Sequence, residues 1–550
     1  MSYPLELGAG PRATAHWWQR RPQLSAETLI LLASVFFALA CNAPFWRSAL
    51  ATHPASPLFA VVLLVLLVAA HALLMGLLMW GPLVRPLLTV LLVATACATY
   101  YMGRYNIYLD ADMLRNVLAT DHKESGELLA PSLFLALLGY AVVPIVLLWR
   151  VRLRRNGFWK ALLRRLLFLA GVLLVAGVAA LAAGQGVASL MRNHREIRYL
   201  ATPANYLVAL AQALKSAPAA DAPKLPIGED ARASARPAGS RPRLLVLVVG
   251  ETARAQDWGL NGYARQTTPE LAADPEVVNF PDMHSCGTST EVSVPCMFSP
   301  WGRHDYDEKR IRSHQSLLDM LARSGIGVLW RDNQSGCKGV CDGVPFQSLA
   351  DATTPGLCHD GRCMDEILLQ DLPAQARAHP GDRVIVLHQL GSHGPSYFQR
   401  YPAAFAHFQP ACTNPDLGEC TRPQIVAAYD NSLLYTDHFL ARTIATLRGM
   451  DDYDTALVYL SDHGESLGEH GLYLHGMPWS IAPQEQTRVP MAMWFSPRFA
   501  QDRGLDLSCL RRRAGQRADH DNLFPSVLGL LQVRTALYDR SRDLFAGCTG

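Results

Sequence analysis

Between Cys286 and Cys296 the chain reads CGTSTEVSVPC, two cysteines bracketing Thr288, Ser289 and Thr290. A hydroxyl-rich loop clipped by its own cysteines suits a rigidly held nucleophile; taken alone, it also fits a disulfide-stapled surface loop. Downstream, SDHGESLGEHGLYLHG places Asp462, His463, Glu465, Glu469, His470 and His475 in one glycine-rich stretch. Six such groups cannot all serve one ion. Asp462 and His463 are the best first ligands, with His475 near a substrate or a second ion, while His470 reads as solvated. A mixed carboxylate and imidazole set suits zinc best and manganese less well. A metal beside a hydroxyl points to phosphoryl chemistry, because threonine is a poor nucleophile at neutral pH and needs an activating group. If a helix opens after Cys286, Thr290 also meets unpaired backbone N–H groups that favour an anion. Lys338, between Cys337 and Cys341, is placed to neutralise a phosphate or simply to be solvated.

These residues need a scaffold, and the pattern around them supplies one. LLVLVVGE ends at Glu251, VIVLHQ carries His388 and leads to His393, and ALVYLSDHG delivers Asp462 and His463. Each is a short run apolar on both faces, as in strands buried within an α/β sheet. Further runs lie at 326–330 and 489–495, and helical patterns alternate with them at 313–324, 364–378, 424–448 and 521–532. The alternation predicts a mostly parallel sheet between helical layers. Ligands in such sheets gather beyond the carboxyl ends of the strands, which is where Glu251, His388, His393, Asp462 and His463 fall.

The 550-residue chain has a formal net charge of +3, so no bulk electrostatic case for nucleic acid arises. The average hides a division. Apolar runs at about 27–47, 57–80, 82–102, 131–149 and 166–187 each approach the roughly 20 residues needed to span a bilayer. Arg12, Arg20 and Arg21 precede the first run, Arg85 separates the second and third, and a basic cluster occupies 150–165. With those regions cytoplasmic, five spans deliver everything after residue 190 to the outer side. All cysteines except Cys41 and Cys97 lie after residue 280, which independently indicates an oxidising compartment. Sequence neighbours pair as Cys286–Cys296, Cys337–Cys341, Cys358–Cys363 and Cys412–Cys420, leaving Cys509–Cys548; a zinc-thiolate site at Cys337 and Cys341 is the rival. The expected domains are a membrane domain over 1–190 with an amphipathic outer loop at 101–130, an amphipathic segment and linker over 191–242, and a catalytic domain over 243–550.

The spans, the polar outer loop and the segments CGTSTEVSVPCMFS, CKGVC, HQLGSHGPSY, SDHGESLGEHGLYLHG and DHDNLF together resemble the phosphoethanolamine–lipid A transferases, including the mobile colistin-resistance enzymes. The resemblance covers essentially the whole chain. It implies five transmembrane helices and a periplasmic alkaline phosphatase/sulfatase-like α/β/α sandwich in a multi-pass protein of the bacterial inner membrane. It places the nucleophile on Thr290, the zinc ligands on Glu251, Thr290, Asp462 and His463, and substrate-side or second-zinc groups on His393 and His475. Lys338 matches a lysine that holds phosphoethanolamine, and Glu465 lies beside the same site. Asn116, Thr120 and Glu124 in the outer loop match a stretch associated with the lipid substrate. Glu291 departs from the family, which usually carries a small residue there.

The implied reaction moves phosphoethanolamine from phosphatidylethanolamine to Thr290 and then to lipid A, with one essential zinc and room for a second. The added amine lowers the negative charge of lipid A and weakens binding of polymyxin-type peptides. Inner-membrane lipids are the remaining partners, and a monomer is expected. Rival readings are a transferase with another acceptor, such as core-sugar heptose, a phosphoglycerol transferase, or a membrane sensor with an inactive hydrolase-like domain. A sulfatase activity would call for a C/S-x-P-x-R motif, which this stretch lacks.

Overall fold

The computed structural model describes residues 21–51, 57–120, 122–154, 156–216, 223–237, 239–359 and 361–549. Arg12, Arg20 and the linker stretch 217–222 lie outside the described residues. The chain forms two compact units, one of Met1–Tyr100 with Pro131–Ala204, the other of Tyr101–Ala130 with Asn205–Gly550.

In the first unit, helices Pro57–Leu78, Gly81–Tyr105, Pro131–Arg150 and Phe158–Ala182 are long and apolar enough to cross a membrane. The run at 27–47 is not one straight span. It forms Ala26–Ala40 and Ala43–Ala51, bent by 61°. Pro44 explains the break: a ring near the start of the second helix is tolerated there but could not sit inside a continuous one. The Asn42 amide fills the opening by donating to the Phe37 carbonyl at 2.8 Å. Arg165, expected in a cytoplasmic basic cluster, is buried and donates to the carbonyls of Gly76 and Met79 at 2.7 and 2.8 Å, closing the end of the Pro57–Leu78 helix.

The second unit is built on an eight-stranded sheet. Its strands are β1 (Arg243–Gly250), β2 (Val278–His284), β3 (Gly327–Asp332), β4 (Phe346–Ser348), β5 (Arg383–His388), β6 (Asp454–Ser461), β7 (Arg488–Phe495) and β8 (Ala518–Asp519), in the order β8-β2-β7-β6-β1-β5-β3-β4. From β4 to β6 the strands run parallel; β7 is antiparallel to β6, and β2 to β7. The sheet is therefore mixed, with its parallel half carrying every strand end singled out above. Along β1, Leu245, Leu247 and Val249 enter one core while Leu244, Val246 and Val248 enter the other. That two-residue alternation between two apolar layers is what an α/β/α sandwich requires.

Helix α5 (Arg422–Arg448) is the longest element covering one face, capped by Thr421 and Gln424. Four shorter helices matter for the site: α1 (Ala111–Ala119) and α2 (His122–Glu127) in the outer loop, α3 (Thr290–Met297) and α4 (Glu308–Ser313). The pattern at 313–324 resolves into α4 and a separate helix Leu317–Arg323, because Ser316 and Asp319 form a capping box that starts a new helix. The pattern at 364–378 is likewise interrupted, at Asp371, whose φ is 56°. Cysteines pair as Cys286–Cys296, Cys337–Cys341, Cys358–Cys363, Cys412–Cys420 and Cys509–Cys548, and Cys41 and Cys97 are free.

Candidate active site

Parallel register brings the ends of β1, β5 and β6 to one edge, since Gly250 pairs with Ser461 and Val249 with His388. Glu251 leaves β1, and Asp462 and His463 leave β6, so three ligand-type side chains arrive from adjacent strands. Their ligand atoms lie within 4.8 Å of one another, and all three residues are buried. Thr290 comes from the far side as the first residue of α3, with Ser289 as its extended N-cap. Its hydroxyl donates to Glu251 at 3.0 Å and stands 3.3 Å from Nε2 of His463. A hydroxyl at the first position of a helix also faces the unpaired N–H groups of that turn, which suit a phosphoryl oxygen.

The electrostatics favour a cation at the centre of this set. Burial and the neighbouring Glu251 charge push the Asp462 carboxyl up to about 6. Burial opposes ionisation of Glu251 too, but the bond and charge of His463, with His393 and His475, hold it well below the usual range. Burial disfavours a charged His463, yet Asp462 and Glu251 raise it to about 10. Its Nδ1 bonds the Gly464 carbonyl at 2.9 Å, so Nε2 is the nitrogen directed at the carboxylates, the tautomer a metal ligand needs. Asp462 Oδ2 is buried with no hydrogen-bond partner among the described residues. A buried carboxylate oxygen without a donor, beside a second carboxylate and a correctly turned imidazole, fits a divalent metal held by oxygen and nitrogen.

His393 and His475 stand together on the open side, ring centroids 5.4 Å apart, and His475 lies 4.4 Å from His463. Nδ1 of His475 bonds Glu465 at 2.8 Å, and Tyr397 donates to the same carboxylate at 2.6 Å. Glu465 thus orients a histidine rather than joining the central cluster. His393 meets Glu124 of α2 at 3.3 Å. Burial works against its charge, but Glu124 and Glu251 push it up to about 9, which favours the imidazolium.

Other residues singled out in the sequence fall elsewhere. His388 is fully buried on Asp332, Nδ1 to Oδ1 2.7 Å, behind the ligand set. Lys338 Nζ bonds Ser335 Oγ at 2.6 Å and lines a cavity of about 190 Å3 with Lys224 and Arg312. Thr120 donates to the Asn116 carbonyl at 2.8 Å, closing the end of α1, and Glu124 is brought against His393.

Two supporting residues escaped the sequence reading. Gln334 donates to Glu251 Oε2 at 3.1 Å, and nothing in the local sequence marks it. His520, in the DHDNLF segment, accepts from the Cys286 N–H at 3.1 Å and faces the Ser461 carbonyl with Nε2 at 3.0 Å. It ties the nucleophile loop to the end of β6 as a neutral imidazole. Burial pushes it from 6.5 down to about 4. The unfolded chain therefore binds the extra proton between those values, and stability falls as pH drops from 6.5 towards 4. Between pH 6.5 and 5 this group alone should remove about 2 kcal/mol. Thermal unfolding of wild type and His520→Asn at pH 7.5 and 5 checks it: the variant starts less stable and loses less on acidification.

Gly391 permits the approach of the HQLGSHGP loop to Glu251. Its φ is +54°, and a Cβ there would lie 2.6 Å from the Glu251 carbonyl oxygen and 2.9 Å from the Glu251 Cβ. Gly391→Ala should lower stability by about 2 kcal/mol or more and displace Glu251, read by denaturant unfolding together with transferase activity.

Residues 243–533 match the Sulfatase family and residues 66–217 match Phosphoethanolamine transferase EptA/EptB. Phosphoethanolamine transferase EptA of Escherichia coli strain K12 is 39% identical over 541 residues, covering 96% of this chain and 98% of that protein. The chain belongs to the phosphoethanolamine transferase family. Phosphatidylethanolamine transferase Mcr-1 of Escherichia coli is 37% identical, covering 88% and 91%. The integral membrane protein lipooligosaccharide phosphoethanolamine transferase A from Neisseria meningitidis superposes with a TM-score of 0.92 at 38% identity, covering 96% of this chain and 100% of that one. This phosphoethanolamine transferase is accordingly an integral membrane enzyme whose catalytic domain stands on the periplasmic side.

Proposed function

We propose that this enzyme takes phosphoethanolamine from phosphatidylethanolamine and gives it to a phosphate of lipid A, with Thr290 carrying the group between them. The observation that carries this reading is the Thr290 hydroxyl, buried and 3.0 Å from Glu251 at the opening of α3. Glu251, Thr290, Asp462 and His463 would hold zinc. Bound there, zinc lowers the pKa of a hydroxyl and screens the charge gathering on phosphorus.

The chain's own residues account for the rest. Thr290 Oγ passes its proton to the Glu251 carboxylate 3.0 Å away and attacks the donor phosphorus, and the bond to the glycerol oxygen breaks. The departing diacylglycerol oxygen needs a proton, and His393, held against Glu124 beside His475, is placed to give one. A lipid A phosphate oxygen then attacks the phosphothreonine, the freed Thr290 oxygen takes its proton back from Glu251, and the proton shed by the acceptor phosphate reloads His393. The transferred amine makes lipid A less negative, from which we infer weaker binding of polymyxin and colistin.

The test uses the purified full-length enzyme, phosphatidylethanolamine labelled in the headgroup, and two acceptors offered separately: lipid A, and a heptose-bearing core oligosaccharide. Label appearing on lipid A phosphate is the expected outcome. Label on heptose alone would replace the acceptor, and release of labelled phosphoethanolamine to water with both would make the protein a hydrolase.

A further inference from the structure

Glu291 directly follows the nucleophile and has no place in the chemistry above. It is 9% exposed, so an unpartnered carboxylate there would be unfavourable. Its partner is Arg312 at the end of α4, whose Nη2 lies 2.8 Å from Glu291 Oε1 and also donates to the Glu291 backbone carbonyl at 2.7 Å. That second bond has a local cause. Pro295 sits four residues on in α3 and has no N–H, so the Glu291 carbonyl loses its helical donor and Arg312 supplies one.

The contacts continue outward. Arg312 Nε reaches Glu308 at 3.1 Å, the other oxygen of Glu308 meets Arg115 of α1 at 2.6 Å, and Arg115 also pairs with Asp112. Signs alternate through the five residues, and each of the inner four side chains is 12 to 16% exposed. Helix α1 packs on α3, and its Met113 comes so close to Gly476 that a Cβ there would lie 2.5 Å from the Met113 Cε. The outer-loop helix therefore bears on the nucleophile helix and on the residue after His475 together.

We propose that Glu291 and Arg115 are positioning residues of one ion chain, Glu291–Arg312–Glu308–Arg115, through which the outer-loop helix sets the opening turn of α3 and hence Thr290. The proposal rests on Thr290 as the reacting hydroxyl. Partly buried, alternating pairs act as a unit, so removing either end should release the same constraint.

The test takes full-length wild type, Glu291→Ala, Arg115→Met, the double variant and Arg115→Lys. Each single change should lower kcat for transfer ~5- to 10-fold with less than ~2-fold change in KM for the lipid donor, and the double should fall little below the worse single. Arg115→Lys keeps the charge and should stay within ~3-fold of wild type. Hydrogen exchange of the 290–297 amides in the same proteins gives a readout independent of turnover, and should rise in both single variants. Multiplicative losses in the double variant, or unchanged exchange in α3, would overturn the ion chain. Exchange raised in both single variants and little further in the double, with no transfer by any protein, would keep the chain and sink the functional reading instead.

Discussion

Thr290→Ala should abolish transfer while the enzyme still folds and inserts. Thr290 is 4% exposed, and its hydroxyl is the one nucleophile-type group reaching both Glu251 and His463 in the described site. Thr288 is occupied elsewhere, donating to the Met477 carbonyl at 2.7 Å, and the Ser293 hydroxyl bonds the Asp462 backbone. Neither can substitute without breaking a structural bond. Loss of a covalent nucleophile commonly lowers turnover by ~10³-fold or more. Thr290→Ser keeps the hydroxyl but frees its rotation, so it should retain measurable activity. Expression of the three proteins in a Gram-negative host, followed by mass spectrometry of lipid A, reads the result. A phosphoethanolamine increment that persists with alanine would remove Thr290 from the reaction.

Asp462→Asn should raise stability without metal and remove the stabilisation that metal gives. Asp462 Oδ1 accepts from the backbone N–H groups of Thr252 at 3.2 Å and His463 at 2.7 Å, and an asparagine oxygen can keep both. What changes is the buried charge beside Glu251. Because burial and Glu251 raise the folded carboxyl from 3.8 to about 6, its ionised form destabilises the metal-free fold fully above pH 6, and the effect fades as pH falls from 6 towards 3.8. At pH 7.5 the substitution should therefore stabilise metal-free protein by up to about 3 kcal/mol. The same change takes away a ligand charge, so zinc added to the variant should raise its melting temperature far less than in wild type. Elemental analysis and thermal unfolding, each with and without chelator, check both signs. A variant that binds zinc as wild type does would exclude Asp462 from the ligand set.

Much of the scaffold was legible because the physics that forms it is local. Buried parallel strands need unbroken apolar runs, and 243–250, 383–388 and 454–461 announce themselves in that way. Membrane spans are equally local, being a matter of length and polarity. The elements that escaped are those whose identity is supplied by neighbours. VNFPDMH contains a proline and little alternation, yet it becomes β2 because β7 pairs with it across a register shift. Phe346–Ser348 and Ala518–Asp519 are too short to carry any pattern and are strands only by virtue of their partners.

For the site, residue type and strand end pointed to Glu251, Asp462, His463 and His393, and the glycine-rich stretch pointed to His475; the fold brings these five side chains together. The resemblance singled out Thr290 among three adjacent hydroxyls; the structure shows the physical difference, in that only Thr290 opens α3 towards the carboxylates. Tertiary structure alone decided which groups act through others: Glu465 on His475, Gln334 on Glu251, His520 between the cysteine loop and β6, and Arg312 on the carbonyl that Pro295 leaves unpaired. Ligand type is written in a side chain. The partner that orients it, which here lies from 10 to 234 positions away along the sequence, is chosen only when the chain folds back on itself.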